Sequence, residues 1–402
     1  MSRPKVAHVT TVAISLRGLL LNQMRSIGAA GYEVVGISAG GEDAAAVEAA
    51  GIRHIAVPMT RTFTPAADLV SLWRLYRVMC REGFTIVHTH TPKAGLLGRL
   101  AARLAGVPVV VATLHGFYFH DHMARLKRRF YVAAEKAGGC CADVILSQNR
   151  EDVHTAVREG ICPPGRIKYL GNGIDVRRFD CARLDPQVQA QKRAELGLAP
   201  GCPVVGFVGR LVAEKGIPEL LRAAQRVLER LPATRFLFIG PIDREKPDVL
   251  RPETAREYGV ADACVFTGRR RDMPELYGLM DVLVLPSHRE GFPRAPMEAS
   301  AMGVPCVVTD IRGCREAVED GRNGLLVPLG DVPRLADAVL ELLTDRDKAH
   351  RLGEAGRVLA RERFDERRVF ETVKAEYARL LAEKRLNVPP ARPWPAVAAD
   401  AG

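Results

Sequence analysis

The chain has 402 residues, of which 47% are hydrophobic and 26% charged, so its length predicts two domains and its composition is typical of a globular protein. No apolar run approaches the ~18 residues of a spanning helix. The start of the chain is interrupted by Arg17 and is predicted to be a first β-strand, not an export signal. The nine cysteines include no Cys-x-x-Cys pair, which argues against zinc and disulfides and favours a reducing cytosol.

The positive charge of the chain is uneven. The net charge is +11, and residues 1–180 hold 23 Lys and Arg against 14 Asp and Glu, a net charge of +9. A basic first half suggests an anionic partner, such as a phospholipid surface, a diphosphate-linked lipid or a nucleic acid. Alternatively, the positive charge serves only solubility and the chain has no anionic partner.

The first half alternates strand and helix patterns, which implies a parallel sheet covered on both faces. Asp68–Cys80 is predicted as an amphipathic helix with Leu69, Leu72, Trp73 and Tyr76 on one face. The predicted strands are Val6–Val12, Glu33–Ser38, Ile52–Val57, Thr85–His90, Pro108–Thr113 and Asp143–Ser147.

The pattern restarts after a segment rich in Ala, Pro and charge. We therefore predict an N-terminal domain over 1–180, a linker over 181–201 and a second domain over 202–364. A long amphipathic helix covers about 365–385, and the Pro/Ala-rich tail 386–402 is predicted to be disordered.

One strand–loop–helix segment carries two carboxylates. The run Asp281–Leu285 is predicted as a buried strand, Glu290–Pro293 as a loop and Arg294–Met302 as a helix. Glu290 would then lie at a strand's carboxyl end, where open parallel sheets bind ligands, and Glu298 about two turns into a helix whose start favours an anion. Two solvated acids are the alternative.

A second segment, Gly206–Gly216, follows the first predicted strand of the second half. Its Arg210 and Lys215 could neutralise a diphosphate, since Arg offers a bidentate fork and Lys a point charge. Its glycines allow close approach of the backbone to a ligand. Taken alone, both residues would be ordinary surface cations.

Several histidines follow predicted strands. His115 comes directly after the strand at 108–113, where it can hydrogen-bond a sugar hydroxyl, act in acid–base chemistry, or serve a structural role. His120 and His122 flank Asp121 and imitate a metal site, but we predict that this loop binds no metal.

Two further patterns have ordinary interpretations. His88 and His90 share one strand face near Lys93, so they either line a cleft or belong to the core. Asp345 and Asp347 resemble a metal-binding Asp-x-Asp, but an N-cap explains them better.

Glu290 and Glu298, in the spacing Glu-x7-Glu with Gly-Phe-Pro after the first acid, resemble the signature of retaining glycosyltransferases of the GT-B type, specifically glycosyltransferase family 4. Gly209–Gly216 is similar to that family's phosphate site, and His115-Gly116 to its catalytic histidine. The resemblance spans residues 5–385 and implies an α/β fold of two Rossmann-like, doubly wound parallel-sheet domains facing a central cleft. It also implies that the last helix returns to the N-terminal domain.

The resemblance implies how a nucleotide-sugar is held. Glu298 would accept the ribose hydroxyls, because its two oxygens suit a vicinal diol. Glu290, with the backbone of Gly291 and Phe292, would hold the donor sugar, and Arg269 would lie beside the base.

The same resemblance implies which residues act in transfer with retained anomeric configuration. Arg210 and Lys215, next to Gly209, would stabilise the departing diphosphate. His115 would contact the transferred sugar, so the predicted catalytic residues are His115, Arg210, Lys215 and Glu290.

Ser15–Gly18 occupies the place of the family's first glycine-rich loop but lacks its Gly-Gly pair. Gly18 is the predicted substitute for backbone contact with the donor.

The segment Phe119–Val132 is basic and aromatic. It would lie on an anionic membrane or hold an acceptor lipid diphosphate through Arg125, Lys127, Arg128 and Arg129. A solvated helix face is the alternative.

We therefore predict a metal-independent, cofactor-free glycosyltransferase at the cytoplasmic face of the membrane. Its donor would be a UDP-sugar, with GDP-mannose as the rival, and its acceptor a lipid-diphosphate-linked glycan of bacterial surface polysaccharide. The alternatives are a nucleotide-sugar epimerase on the same fold and a non-catalytic protein that binds nucleic acid or another anion; we predict no nucleic-acid partner.

Overall fold

The computed structural model describes residues 3–119, 123–243 and 248–389. The chain forms two compact units: unit 1 comprises Met1–Gly171 with Arg368–Gly402, and unit 2 comprises Asn172–Arg367. The segment at 181–201, predicted as a linker, lies inside unit 2 and contains a helix. Ile174 shows why unit 2 begins earlier than residue 202, since its backbone N–H donates to the carbonyl of Phe364.

The strands of the two units are short and mostly buried. They are β1 Lys5–Val12, β2 Glu33–Ala39, β3 Arg53–Ala56, β4 Ile86–Thr89, β5 Val109–Leu114, β6 Val144–Ser147, β7 Ile167–Tyr169, β8 Val204–Val208, β9 Arg235–Ile239, β10 Cys264–Gly268, β11 Val282–Leu285, β12 Cys306–Thr309 and β13 Gly324–Val327.

The α-helices follow the strands along the chain. They are α1 Ala13–Ser15, α2 Leu21–Ala29, α3 Glu42–Ala49, α4 Pro65–Glu82, α5 Pro92–Leu104, α6 Arg125–Cys140, α7 Arg150–Arg158, α8 Pro186–Glu195, α9 Ile217–Arg230, α10 Thr254–Glu257, α11 Met273–Tyr277, α12 Arg294–Ala301, α13 Arg312–Ala317, α14 Val332–Thr344, α15 Arg346–Arg363 and α16 Glu366–Glu383.

Each unit is built on one parallel sheet with the same doubly wound order. The order is β3-β2-β1-β4-β5-β6-β7 in unit 1 and β10-β9-β8-β11-β12-β13 in unit 2. Apolar strands covered by helices on both faces explain the near-continuous burial of β1, β4 and β11. The strand order reverses between β1 and β4 and between β8 and β11, and ligands of such sheets bind at these switch points.

Helix α16 follows unit 2 in sequence but packs into unit 1. Its residues Val373, Tyr377 and Leu381 are fully buried in the same core cluster as Val6 and Ile86 of β1 and β4. The Tyr377 hydroxyl lies 2.7 Å from Nδ1 of His88, so this helix covers one face of the first sheet.

The structure revises one local expectation and supports another. Ser15–Gly18, expected as a loop, is helical: α1 runs directly into a π-helix at Leu16–Leu20, because Leu16 and Leu20 are buried against the sheet. Asp345 is an N-cap, since its side chain accepts from the backbone N–H of Lys348. Most of the predicted disordered tail lies outside the described residues, as do His120, Asp121 and His122.

Candidate active site

Glu290 and Lys215 of unit 2 form an ion pair at the switch point of its sheet. Lys215 ends a short 3-10 turn after β8, and Glu290 follows β11, the neighbouring strand. The Lys215 ammonium donates to Oε1 of Glu290 at 2.5 Å, and the Ser287 hydroxyl donates to the same oxygen at 2.7 Å. Only 16% and 11% of the two charged side chains are exposed. The structure therefore brings together two residues that are 75 positions apart in sequence.

Glycines allow the backbone to close around this pair. Gly216 has a φ of 72°, and a Cβ there would lie 1.9 Å from the carbonyl oxygen of Pro286. A Cβ on Gly313 would lie 2.4 Å from the carbonyl oxygen of Glu290. Neither position accommodates a side chain without displacing the loop that carries Glu290.

Arg210 lies on the same side of the sheet, directly after Gly209 at the end of β8. Its guanidinium donates to Asp243 at 2.7 Å, and a Cβ on Gly240 would lie 1.8 Å from the carbonyl oxygen of Gly209. Asp243 was not identified by sequence reasoning. The signal that could have found it is its position shortly after β9, the strand beside β8.

Glu298 is a mostly buried carboxylate in α12. It lies one turn into the helix, and not two, because the helix begins at Arg294. The Tyr277 hydroxyl donates to Oε2 at 2.9 Å, and Arg294 Nε lies 3.6 Å from Oε1. Burial raises the pKa of Glu298, an effect that the nearby Arg294 charge opposes. Such a carboxyl group is suited to accept hydrogen bonds from a ligand in a site shielded from water.

The other residues of unit 2 that are predicted to bind the donor have different surroundings. Phe292 is buried, and its carbonyl accepts from the Asn172 amide at 3.0 Å. Gly291 precedes it in the loop. Arg269 is exposed and directly follows β10, which is the third strand along the sheet from the switch point.

In unit 1, His115 follows β5, as predicted, and both of its ring nitrogens have partners. Nδ1 lies 3.1 Å from Oε1 of Gln148, and Nε2 lies 3.2 Å from Nδ1 of His90. Burial lowers the pKa of His115 to about 4, so the imidazole is neutral at pH 7. Because both nitrogens are engaged, a hydrogen bond from this ring to a sugar hydroxyl would have to replace one of these two partners.

Three further histidines lie behind His115 in the core. His8, His88 and His90 are buried, and their ring nitrogens lie within 4.8 Å of one another, the one such cluster among the described residues. His88 bonds the hydroxyls of Tyr377 and Thr113, each at 2.7 Å, so its role is in the core. His8 was missed because a single strand does not show which residues its neighbour carries.

Gly18 lies within the π-helix that follows β1. The preceding residue, Arg17, pairs with Asp43 at 2.8 Å. The segment therefore presents a helical backbone at the unit 1 switch point, where a glycine-rich loop was expected.

An apolar and basic surface covers part of unit 1. The amphipathic face predicted for α4 is exposed: Leu69 is 68% and Trp73 56% exposed. Leu126 of α6 is 82% exposed, and the rings of Phe63 and Phe130 meet at 5.4 Å. We call this the apolar–basic surface, formed by Phe63, Leu69, Trp73, Leu126 and Phe130 together with the exposed Arg125, Lys127 and Arg129.

Arg128 differs from its neighbours on α6. Its guanidinium is partly buried and donates to Glu159 at 2.7 Å. The predicted role of Arg128 in acceptor or membrane contact therefore competes with an ion pair to α7.

Among the described residues, no helix is both long enough and apolar enough to cross a bilayer.

Two family models match the chain. One, described as "Glycosyl transferase 4-like domain", matches residues 19–173, and the other, described as "Glycosyl transferases group 1", matches residues 188–359. Together they cover most of unit 1 and unit 2.

Curated relatives agree with these models. The UDP-Gal:alpha-D-GlcNAc-diphosphoundecaprenol alpha-1,3-galactosyltransferase of Escherichia coli is 32% identical over 298 residues, which cover 73% of this chain and 76% of that protein. The capsular polysaccharide biosynthesis glycosyltransferase CapM of Staphylococcus aureus is 27% identical over 395 residues, covering 95% and 99%.

Solved structures show the same architecture. Alr3699/HepE of Anabaena, in complex with UDP-glucose, superposes with a TM-score of 0.79 at 20% identity, covering 93% of this chain and 99% of that one. The predicted α/β class and GT-B fold are thereby confirmed. The chain belongs to the family 4-like, group 1 glycosyltransferases.

Proposed function

We propose that this glycosyltransferase takes its sugar from a UDP-sugar and transfers it, with retained anomeric configuration and without a metal ion, to a lipid-diphosphate-linked acceptor. The observation that carries the proposal is the Lys215–Glu290 pair at the β8/β11 switch point, with Arg210 on the same edge of the sheet. The E. coli relative, whose name specifies a UDP-sugar and a diphosphate-linked lipid, supports the substrate class.

The two cations are suited to charge neutralisation. Arg210 and Lys215 each pair with a carboxylate, Asp243 and Glu290 respectively. A diphosphate would replace these carboxylates and receive a bidentate fork and a point charge. Charge that develops on the leaving group is then stabilised by groups already in place. This arrangement supports catalysis that needs no divalent cation.

The acids are suited to recognition of the rest of the donor. Release of Lys215 from Glu290 would free a carboxylate oxygen for the sugar hydroxyls, next to the Gly291 and Phe292 backbone. Glu298 would accept the ribose diol, and Arg269 would lie beside uracil. His115 of unit 1 would contact the transferred sugar.

The apolar–basic surface supports a membrane-bound acceptor. Exposed aromatic and aliphatic side chains insert at the boundary of headgroups and acyl chains, while cations attract anionic lipids. Trp73 of α4 and Phe130 of α6, with Arg125 and Lys127 of α6, provide both properties on unit 1. We propose peripheral binding at the cytoplasmic face through this surface.

The test is an assay of the purified chain with UDP-, GDP- and ADP-sugars and a short-chain lipid diphosphate that carries one N-acetylhexosamine. A ligand at 100 times its Kd should first stabilise the protein by about 2.7 kcal/mol, which identifies the base. We then expect free UDP and a new α-glycoside in equal amounts, with turnover unchanged in EDTA.

Several results would contradict the proposal. A β-linked product from an α-linked donor would exclude retention, and loss of all turnover in EDTA would exclude metal independence. An interconverted nucleotide-sugar without release of UDP would identify an epimerase instead. Steep, salt-dependent duplex binding with no response to any nucleotide-sugar would favour a nucleic-acid-binding protein.

A further inference from the structure

A chain of hydrogen bonds runs through the core of unit 1 to His115. Nδ1 of His8 lies 3.1 Å from Nε2 of His90, and Nδ1 of His90 lies 3.2 Å from Nε2 of His115. Nδ1 of His115 in turn lies 3.1 Å from Oε1 of Gln148. Each histidine thus presents Nδ1 to the next member of the chain.

The sheet topology brings these residues together. His8 of β1 pairs directly with His88 of β4 across the switch point, and the backbone N–H of His90, just after β4, donates to the carbonyl of Val9. The rings of His8 and His90 stack at 5.3 Å. Both side chains are completely or almost completely buried, with 0% and 1% of their surface exposed.

The residues at the two ends determine the direction in which these hydrogen bonds are donated. An N–H···N bond holds one hydrogen, so neutral rings in sequence must share one tautomer. The Gln148 carbonyl oxygen accepts a hydrogen bond, which places a hydrogen on Nδ1 of His115, and consequently on Nδ1 of His90 and of His8. His8 Nε2 agrees with this direction, since it is buried without a hydrogen-bond partner in the described part of the chain. Burying a nitrogen lone pair without a hydrogen-bond partner costs less free energy than burying an N–H without one.

We propose that His90, held by His8, is a positioning residue for the transfer reaction: it donates from Nδ1 to Nε2 of His115, fixes the orientation of that ring and keeps it from taking up a proton. The inference rests on the proposed contact between His115 and the transferred sugar. A donor aimed at the Nε2 lone pair opposes protonation at that atom, so the ring stays neutral, and it is the Nδ1–H, bound to Gln148, that would turn to a sugar hydroxyl.

The arrangement is distinct from a metal centre. Nε2 of His90, Nδ1 of His8 and both ring nitrogens of His88 are engaged in hydrogen bonds. The geometry favours a hydrogen-bonded array over a set of ligands.

The first test uses the wild-type protein. Ring ¹⁵N spectra at pH 7 should show His8, His90 and His115 all neutral and all in the Nδ1–H tautomer. A charged ring, or an Nε2–H tautomer in any of the three, would overturn the proposal. This measurement requires neither substrate nor activity.

The second test compares two substitutions of His90. His90→Phe removes the donor, so the pKa of His115 should rise and turnover should fall by on the order of 10-fold. His90→Asn places an amide N–H where Nδ1 stood, and should restore turnover to within a few fold of wild type. His88→Phe is the matched control, because it removes an equally buried histidine that has no bond to His115; it should lower the Tm and leave the His115 titration unchanged.

The outcomes separate this inference from the proposed function. An unchanged His115 titration in His90→Phe would overturn the positioning role. A changed titration with full turnover would overturn its catalytic consequence, and full turnover in His115→Ala as well would locate the failure in the proposed role of His115. Equal loss of activity in His90→Phe and His90→Asn would indicate only a packing defect.

Discussion

Glu298 shows at the scale of one residue how a buried carboxyl group, proposed to bind the donor, opposes stability. Its carboxyl group is largely withdrawn from water, and burial raises its pKa above the value in an unfolded chain. A group with a raised folded pKa contributes stability that is present below the unfolded pKa and is lost as the pH rises through the folded pKa. Above its folded pKa, the charged carboxylate therefore reduces the free energy of unfolding.

Glu298→Gln should separate these two effects. The amide removes the buried charge and keeps an acceptor for the Tyr277 hydroxyl, so the Tm at pH 8 should rise by roughly 2–4 °C, and the difference should vanish towards pH 4. Affinity for the nucleotide should fall by about 10-fold or more, because one of two acceptors for the ribose diol is lost. Calorimetry and titration of UDP measure both, with the exposed Glu354→Gln as control. A variant that binds UDP normally would contradict the assigned role.

Lys215 is the residue whose loss should affect chemistry most. Lys215→Ala removes the point charge that faces Glu290, and turnover should fall by about 100-fold or more while circular dichroism shows an intact fold. Lys348→Ala, which removes an exposed ion pair with Glu341 on the same unit, is the control. Near-normal turnover of Lys215→Ala would refute the proposed role of the cation.

At the scale of an element, the turn before α9 is tightly constrained. Gly216 combines a positive φ with a carbonyl oxygen at 1.9 Å from any Cβ. Gly321 has a similar φ of 70° but no atom within 4 Å of a Cβ. The two glycines thus allow backbone strain and steric exclusion to be measured separately.

Gly216→Ala should be clearly more destabilising than Gly321→Ala. The second change should cost about 1 kcal/mol from φ alone, whereas the first must also move the Pro286 carbonyl and with it the loop to Glu290. We expect a further loss of roughly 1–3 kcal/mol and weaker binding of UDP, measured by denaturant unfolding and calorimetry. Equal costs for the two variants would show that the loop adapts freely.

The elements also show what sequence reasoning can reach. The sequence predicts a helix over Ile217–Arg230, because a glycine and a proline mark its start and its apolar residues are periodic, and α9 has these bounds. For α4, the periodicity of the apolar residues predicts the helix but not which of its faces is buried. Ser71 is buried because its hydroxyl donates to the Pro58 and Ala67 carbonyls, and Asp68 because it pairs with Lys93. Polar contacts of this kind depend on distant segments.

The same limit applies to the site. The spacing of Glu290 and Glu298 and the glycine-rich segment of Arg210 and Lys215 predict a donor site, because the residues of each pair lie close together in sequence. Asp243 and His8 can be assigned to the site only once the order of the strands is known. Asp243 follows β9, which pairs with β8, and His8 lies on β1, which pairs with β4. The order of strands in a sheet depends on contacts between distant segments, so the periodicity of apolar residues does not predict it.

At the scale of the whole molecule, charge and apolar exposure coincide on unit 1. The first 180 residues carry most of the net charge, and the apolar–basic surface adds Trp73, Leu126 and Phe130. Each cation near an anionic bilayer contributes about 1 kcal/mol. This surface should therefore bind acidic vesicles more strongly than neutral ones.

A triple variant, Arg125→Gln, Lys127→Gln and Arg129→Gln, should weaken binding to phosphatidylglycerol vesicles by about 100-fold and leave binding to phosphatidylcholine vesicles unchanged. A second variant, Trp73→Ser with Phe130→Ser, should weaken binding to both. Co-sedimentation measures the partition, and Val358→Ser, an exposed apolar site on unit 2, is the control. If the wild-type protein binds neither kind of vesicle, the apolar–basic surface is not a membrane contact.

The return of α16 to unit 1 has a consequence for synthesis on the ribosome. Unit 2 is continuous in sequence, whereas unit 1 needs both ends of the chain. Unit 2 can therefore fold while unit 1 still lacks the helix that covers Val6 and Ile86. The domain that is begun first is completed last, and a chain that stops before Glu366 would leave the apolar face of its first sheet open to chaperones and proteases.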